Sequence, residues 1–157
     1  ETRVPLLDNE LVDFLLDALK RYIKEHASGK ALTAPLPVRL GPRREYREPD
    51  IVYLSDQRLR QTDRYPDGAD LVMEVVSEGD EARQRDLVAK REDYAQAGVT
   101  EYWIVDPQER RIHVLSLDDG AYREHGVFND EQSATSAMFA GFSVIVKEVF
   151  DVRNEPS

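Results

Sequence analysis

The run Ala69-Asp70-Leu71-Val72-Met73-Glu74-Val75-Val76-Ser77 is apolar except for its ends and one acid in the middle. Successive side chains of a strand point to opposite faces, so this run presents two faces, one formed by Leu71, Met73 and Val75 and the other by Val72, Glu74 and Val76. Because both faces are apolar, the pattern predicts a central strand that is covered on both sides. An ionised Glu74 is costly there unless it is paired or binds a metal.

Length and composition predict one globular domain over residues 1–150, followed by a polar tail at 151–157. The 157 residues suffice for a proper core. No apolar run approaches the ~18 residues of a membrane-spanning helix, so we expect no membrane segment. The chain has no Cys, which excludes disulfides and thiolate metal sites. Cytoplasmic localisation is the default expectation.

The charge balance limits the partners of this surface. The formal net charge of −10 argues against non-specific binding of nucleic acid by the whole surface, although it allows a local basic groove. Six arginines fall in one stretch, at positions 43, 44, 47, 58, 60 and 64. Five acids are interleaved with them, so this stretch taken alone indicates a mixed, solvated surface.

Apolar periodicity gives a layout of helix, strands, helix and strands around the run at 70–77. Two amphipathic helices are predicted, at 9–26 and at 80–97, with Gly29 and Gly98 as their stops. Further strands are predicted at 32–40, 50–55, 102–105, 111–117, 121–128 and 142–147. The pair at 111–117 and 121–128 forms a hairpin around Asp118-Asp119-Gly120.

An antiparallel pairing of strands 50–55 and 70–77 would bring two acids together. A ladder that sets Val52 opposite Val72 also sets Asp50 opposite Glu74, on the same side of the sheet. Two carboxylates that close repel unless a cation lies between them or one is protonated. Mg²⁺ suits such a site. Taken alone, Asp50 fits a turn or sheet edge better than a metal site. Glu74 taken alone fits a buried ion pair with an Arg or Lys about as well as it fits a metal site.

Lys90 is the third candidate residue. It lies at the edge of the apolar stripe of the helix at 80–97, so we expect it to point toward the sheet. The alternative is a Lys that extends to solvent and pairs with Asp86 one turn earlier, and spacing alone favours this alternative.

Taken together, these segments resemble a known family. They are Pro49-Asp50, Glu74-Val75-Val76-Ser77, Asp86-Leu87-Val88-Ala89-Lys90, Tyr94 to Gly98, and Glu101-Tyr102-Trp103-Ile104-Val105-Asp106-Pro107. In this order they resemble the bacterial restriction endonuclease-like family of the PD-(D/E)XK nuclease superfamily. The resemblance covers roughly residues 10–150, and the stretch from Glu74 to Pro107 is its most specific part.

The resemblance implies an α/β (α+β) fold with a restriction endonuclease-like core: a mixed central sheet flanked by helices, with added C-terminal hairpin strands. It further implies that Asp50, Glu74 and the Val75 carbonyl bind Mg²⁺ or Mn²⁺. The superfamily pattern places Lys two residues after Glu74, where this chain has Val76. In the family this Lys is displaced onto the following helix, and Lys90 is the matching residue. Glu10 and Asp86 are candidate accessory acids, although a surface role suits Glu10 better.

The expected function is therefore metal-dependent hydrolysis of DNA by a restriction-type endonuclease that acts as a homodimer. Asp50, Glu74 and Lys90 are the expected catalytic residues, with Lys90 assisting the attacking water. One alternative is a catalytically inactive nuclease fold that serves as an interaction or regulatory module, which the acidic surface favours. Another is a hydrolase of RNA or of a nucleotide phosphodiester.

Overall fold

The computed structural model describes residues 6–41, 45–76, 79 and 85–152. Within these residues, a long helix is followed by ten strands, three short α-helices and a π-helical turn. In chain order the elements are α1 (Leu6–His26), β1 (Lys30–Thr33), β2 (Val38–Leu40), β3 (Glu45–Arg47), β4 (Ile51–Leu54), α2 (Asp56–Gln61), β5 (Leu71–Val75), a π-helical turn (Arg85–Lys90), α3 (Arg91–Gln96), β6 (Glu101–Asp106), β7 (Arg111–Asp118), β8 (Ala121–Phe128), β9 (Ser133–Thr135), β10 (Ser143–Ile145) and α4 (Val146–Asp151).

The main sheet has six strands in the order β1-β4-β5-β6-β7-β8. All neighbouring strands are antiparallel except β5 and β6, which are parallel and are connected through the π-helical turn and α3. Two short strand pairs, β2–β3 and β9–β10, lie outside this sheet. The mixed sheet with flanking helices and a C-terminal β7–β8 hairpin confirms the predicted fold class.

Each face of the sheet has its own apolar core. One core packs α1 and α4 against Leu71, Met73 and Val75. The other core packs α3 and β2 against Val72 and Val76. The strand β5 is therefore buried along its whole length and on both sides, as its sequence predicts. Glu74 lies on the same side as Val72 and Val76, under α3.

The helix after β5 is described from residue 85 onward, so the predicted start at 80–84 lies outside the described residues. Its first described part is a π-helical turn, a rare geometry that is often found at functional sites. Its end agrees with the prediction at Gly98, which has φ +78°. The N–H of Val99 donates to the Tyr94 carbonyl and the N–H of Gly98 to the Ala95 carbonyl, which is the Schellman arrangement.

Two strand predictions are wrong in part. The predicted strand 32–40 is two strands, β1 and β2, in different sheets. Pro35 and Pro37 lie between them and lack the N–H groups that a continuous ladder needs.

The predicted strand 142–147 is extended only at Ser143–Ile145, and the chain then forms α4 through Asp151. Buried Val146, Val149 and Phe150 have the i, i+3, i+4 spacing of a helix, in a segment too short for the pattern to dominate. The remainder of the predicted polar tail, residues 153–157, lies outside the described residues. The elements α2, β3 and β9 were not predicted at all.

In the part of the chain that the structure describes, none of the helices combines the length and the apolar composition that crossing a bilayer requires.

Candidate active site

Glu74 is the centre of the candidate site. It is the fourth residue of β5 and is 5% exposed, so its carboxylate is almost wholly removed from solvent. Its Oε2 atom accepts a hydrogen bond from the Tyr94 hydroxyl at 2.7 Å and lies 3.2 Å from Lys90 Nζ. The burial that the sequence makes costly is thus offset by one hydrogen bond and one ion pair.

Asp50 comes immediately before β4 and lies beside the end of β5. The observed pairing sets Val52 opposite Val72 and Ile51 opposite Met73, which is the predicted register. Asp50 is one step beyond the last hydrogen-bonded pair. Its Oδ2 atom accepts a hydrogen bond from the backbone N–H of Val75 at 2.7 Å. The structure therefore brings Asp50 to the peptide that follows Glu74.

Lys90 points toward the sheet and contacts Glu74. It is the last residue of the π-helical turn, and 21% of its side chain is exposed. Residues four apart lie on the same face of a helix, so Lys90 and Tyr94 both reach the same carboxylate oxygen. The alternative partner, Asp86, has a side chain that falls outside the described part of the structure.

Tyr94 is a site residue that the sequence assigned only to the apolar stripe. It is fully buried, and its hydroxyl bonds to Glu74. Burial, followed by the negative charge and the hydrogen bond of Glu74, raises the pKa of Tyr94 well above its ordinary value. The phenol therefore stays protonated and donates to the carboxylate throughout the physiological pH range.

Arg47 joins the site from β3 and was not predicted either. Its Nη2 and Nε atoms contact Asp93 Oδ2 at 2.5 and 3.0 Å. Burial lowers the pKa of Arg47, but the hydrogen bond and charge of Asp93, with smaller contributions from Tyr94 and Glu74, raise it overall. A permanent positive charge thus connects the β2–β3 pair to α3 within the electrostatic reach of Glu74.

The donor set fits a hard divalent cation. Asp50, just before β4, and Glu74, in β5, offer carboxylate oxygens, and Val75, the last residue of β5, offers its carbonyl oxygen. Mg²⁺ typically takes one or two carboxylates and completes its shell with waters and substrate phosphate. Among the described residues, no group of three or more His, Asp or Glu side chains is close enough to hold a metal. The fit therefore depends on two carboxylates.

Glu10 is not brought to this site. It is exposed on α1, which packs against the opposite face of the sheet from Glu74. The buried acid at the start of that helix is Asp8, at 6% exposure. Asp86 stays a prediction, because its side chain is outside the described residues.

Comparison with known families identifies the chain. A family model described as "Uma2: Putative restriction endonuclease" matches residues 3–151, almost the whole chain. The chain belongs to the Uma2 family. This confirms the resemblance that the sequence motifs indicate, because those motifs all fall inside the matched range.

A solved structure shares the Uma2 chain's fold. It is a crystal structure from Anabaena variabilis, described as "a putative nuclease belonging to DUF820", and it superposes with a TM-score of 0.73. The match covers 98% of this chain and 85% of that one, at 14% sequence identity. At this identity the likeness establishes the fold alone. No curated protein matches the chain.

Proposed function

We propose that the protein is a metal-dependent endonuclease of restriction type that hydrolyses phosphodiester bonds in DNA. The observation that carries this proposal is the convergence of Asp50, Glu74 and Lys90 at the end of β5, from three separate segments of the chain. Membership of a family described as restriction endonucleases supports it, as does the fold shared with the Anabaena protein.

In this proposal Asp50, Glu74 and the Val75 carbonyl hold Mg²⁺ or Mn²⁺. When bound, such an ion acts as a Lewis acid on the phosphate and makes water a better nucleophile at neutral pH. The hydrogen bond from Val75 N–H fixes the Asp50 carboxylate, and the Tyr94 hydroxyl fixes that of Glu74. Both acids are therefore oriented before any ligand arrives, which reduces the reorganisation that binding requires.

Lys90 acts on the substrate side of the proposed site. Its ammonium group lies 3.2 Å from Glu74 Oε2 and is partly open to solvent, so it can also donate to a phosphate oxygen or to the attacking water. Val76 occupies the position that holds Lys in the superfamily pattern, and it is buried at 3% exposure in the core under α3. In this chain, therefore, Lys90 on the helix supplies the positive charge of the proposed site.

The decisive experiment measures nicking of supercoiled plasmid with Mg²⁺, Mn²⁺ or EDTA, for wild type, Glu74→Gln and Lys90→Met. Lys147→Met is the matched control, because Lys147 forms an exposed pair with Asp151 and lies outside the site. We expect metal-dependent nicking that falls at least about 100-fold in both site variants, the range expected for loss of a group that assists proton transfer or stabilises charge. The control should retain full activity.

Nicking that persists in EDTA, or that survives in Glu74→Gln, would sink the proposal. A parallel assay with single-stranded RNA tests the substrate class. If RNA is cut and DNA is not, the same site serves a ribonuclease. Because cutting both strands of a duplex favours two active sites, we further propose that the protein is a homodimer. Light scattering during gel filtration measures its mass. We also propose that it acts in the cytoplasm.

One observation favours a second candidate, a catalytically inactive module on this fold. Glu74 already has Tyr94 and Lys90 as partners, so the pair is self-sufficient as a buried structural ion pair. Thermal unfolding with and without Mn²⁺ separates the two candidates. A wild type that neither nicks DNA nor gains stability from Mn²⁺ supports the inactive module.

A further inference from the structure

An aromatic groove lies on the β2–β3 pair and is lined by Pro37, Tyr46, Arg47, Glu48 and Tyr65. Its volume is about 430 Å³, within the range of small-ligand sites. The rings of Tyr46 and Tyr65 meet edge to face, with centroids 5.9 Å apart and an interplanar angle of 78°. The guanidinium carbon of Arg39 lies 5.9 Å from the Tyr46 ring, and that of Arg64 lies 5.9 Å from the Tyr65 ring.

The hydroxyls of the two groove tyrosines differ from those of four other tyrosines in the chain. Four others donate their hydroxyl to a fixed acceptor within the fold: Tyr22, Tyr53, Tyr94 and Tyr122. Neither Tyr46 nor Tyr65 has a hydrogen-bond partner among the described residues. Tyr46 is also 46% exposed, so it contributes little to the core. Hydrogen bonding within the fold therefore does not account for the exposed Tyr46 ring or for the half-buried Tyr65 ring.

The groove borders the candidate active site. Arg47, which lines it, binds Asp93 on α3, next to Tyr94. Glu48, also in its lining, precedes Asp50 by two residues. Arg47 also lies close enough to Glu74 for the two charges to interact, so it links the groove to the candidate site.

We infer that this groove binds an unpaired nucleotide of the substrate strand, with its base stacked on the tyrosine rings beside the scissile phosphate. Stacking needs an exposed face of the base, which a paired and stacked duplex does not present. The inference rests on the proposed nuclease function and narrows it to substrates with single-stranded or extruded nucleotides.

One of the three arginines around the groove is available to this occupant. Arg39 is paired with Asp67 at 3.1 Å, and Arg47 is paired with Asp93. Arg64 is exposed and makes no ion pair with any described residue, so its guanidinium is available to a backbone phosphate. On a chain with a net charge of −10, a short aromatic platform with local arginines captures a few nucleotides without a broad basic surface.

The test is binding of a fluorescent 12-nucleotide DNA strand, and of the same sequence as a blunt duplex, measured by anisotropy in EDTA so that no cleavage occurs. Wild type is compared with Tyr46→Ala, Tyr65→Ala and the ring-preserving Tyr46→Phe. Ile145→Ala is the matched surface control, since Ile145 is 49% exposed and lies in β10. Thermal melting of each variant checks the fold.

We expect each Ala variant to weaken single-strand binding by about 5- to 150-fold, the range for removal of one stacking side chain. Tyr46→Phe and Ile145→Ala should stay within about twofold of wild type, as should duplex binding by every variant. Single-strand binding that is absent in wild type, unchanged in Tyr46→Ala, or lost equally in Tyr46→Phe would overturn the inference.

The plasmid assay makes the two proposals separable. Tyr46-dependent capture of single strands by a protein that cuts nothing would retain the groove and reject the nuclease. Metal-dependent cutting of duplex DNA that Tyr46→Ala leaves unchanged would retain the nuclease and reject the groove.

Discussion

Glu74 and Glu101 are buried carboxylates on adjacent parallel strands, but their surroundings differ. Glu101 is 0% exposed and accepts four hydrogen bonds, from Trp103 Nε1 at 2.7 Å, Ser136 Oγ at 2.6 Å, Ala137 N–H at 2.8 Å and Met138 N–H at 2.9 Å. Indole, hydroxyl and backbone donors of this kind do not titrate in the accessible pH range. Glu74 instead has a phenol and an ammonium group as partners, and a second carboxylate beside it.

The difference teaches that burial alone does not mark a functional carboxylate. Glu101 attaches the 136–138 loop to β6, and its donors come from the protein's own backbone and fixed side chains. Glu74 lies at the opposite end of its strand and on the opposite face of the sheet, where its partners are groups that can exchange protons or move toward a ligand. The chemistry of the partners separates a structural acid from a candidate catalytic one.

The largest expected effect is on stability, and it falls on Glu101. Glu101→Ala leaves four donors without their acceptor, so we expect the free energy of unfolding to drop by about 3 to 5 kcal/mol. Glu74→Ala should lose only about 1 to 2 kcal/mol, since Lys90 can turn to solvent. Urea unfolding followed by far-UV circular dichroism measures both. Equal losses would erase the distinction between the two acids.

Stabilisation by added metal should depend on Glu74 and not on Glu101. At 10 to 100 times its dissociation constant, Mn²⁺ should stabilise wild type by about 1.4 to 2.7 kcal/mol. Glu101→Gln, although less stable, should show the same gain, whereas Glu74→Gln should show none. Differential scanning fluorimetry with and without Mn²⁺ reads this out. A gain that survives in Glu74→Gln would place the ion elsewhere.

Tyr94→Phe tests the titratable partner of Glu74. We expect a loss of about 1 to 2 kcal/mol at pH 8, because a hydrogen bond to a buried carboxylate is removed. The raised pKa means that folded Tyr94 keeps its proton where unfolded Tyr loses it, so this contribution declines as pH rises above about 10. Unfolding at pH 8 and 10.5 should show wild type and variant converging. A constant difference between them would contradict the role assigned to burial and Glu74.

The smallest expected effect concerns His113, which lies in the same row across the sheet as Glu74, through Ile104. Burial, partly opposed by the charges of Asp106 and Glu124, lowers the pKa of His113. Unfolded His gains a proton near pH 6.5 before folded His113 does, so this contribution is present above that pH and is lost as pH falls. His113→Gln should flatten the decline in stability between pH 7 and 5.5, measured by urea midpoints. An identical slope in wild type and variant would count against it.

Much of this site follows from local sequence patterns. The two faces of β5 and the Val52–Val72 register came from alternation, and one register fixes every other pair in the ladder. Helical spacing placed Lys90 at the edge of the apolar stripe, but spacing alone favoured a pair with Asp86, and the resemblance to the family supplied its expected role. The order of the sequence motifs indicated the nuclease family. Residue spacing alone does not indicate a family.

The residues that were missed depend on contacts between distant segments. Arg47 reaches Asp93 across 46 positions, and three of the four donors to Glu101 come from 35 to 37 positions away. No local period encodes such contacts. Tyr94 had a detectable signal, since it is four residues after Lys90, but an aromatic residue on an apolar stripe is most simply explained by packing. The helix α4 was missed because six residues give less than two turns of pattern.

The hydrogen bond from Val75 N–H to Asp50 gives this acid a second task, to satisfy a strand backbone where the β4–β5 ladder ends. Asp50 and Lys90 are thus under different evolutionary constraints. In a descendant that has stopped cutting nucleic acid, the end of the β4–β5 ladder still requires Asp50, whereas Lys90 retains a partly exposed ion pair with Glu74. Across the family, we expect the identity of the residue at the Lys90 position to be the better genetic marker of which members are active.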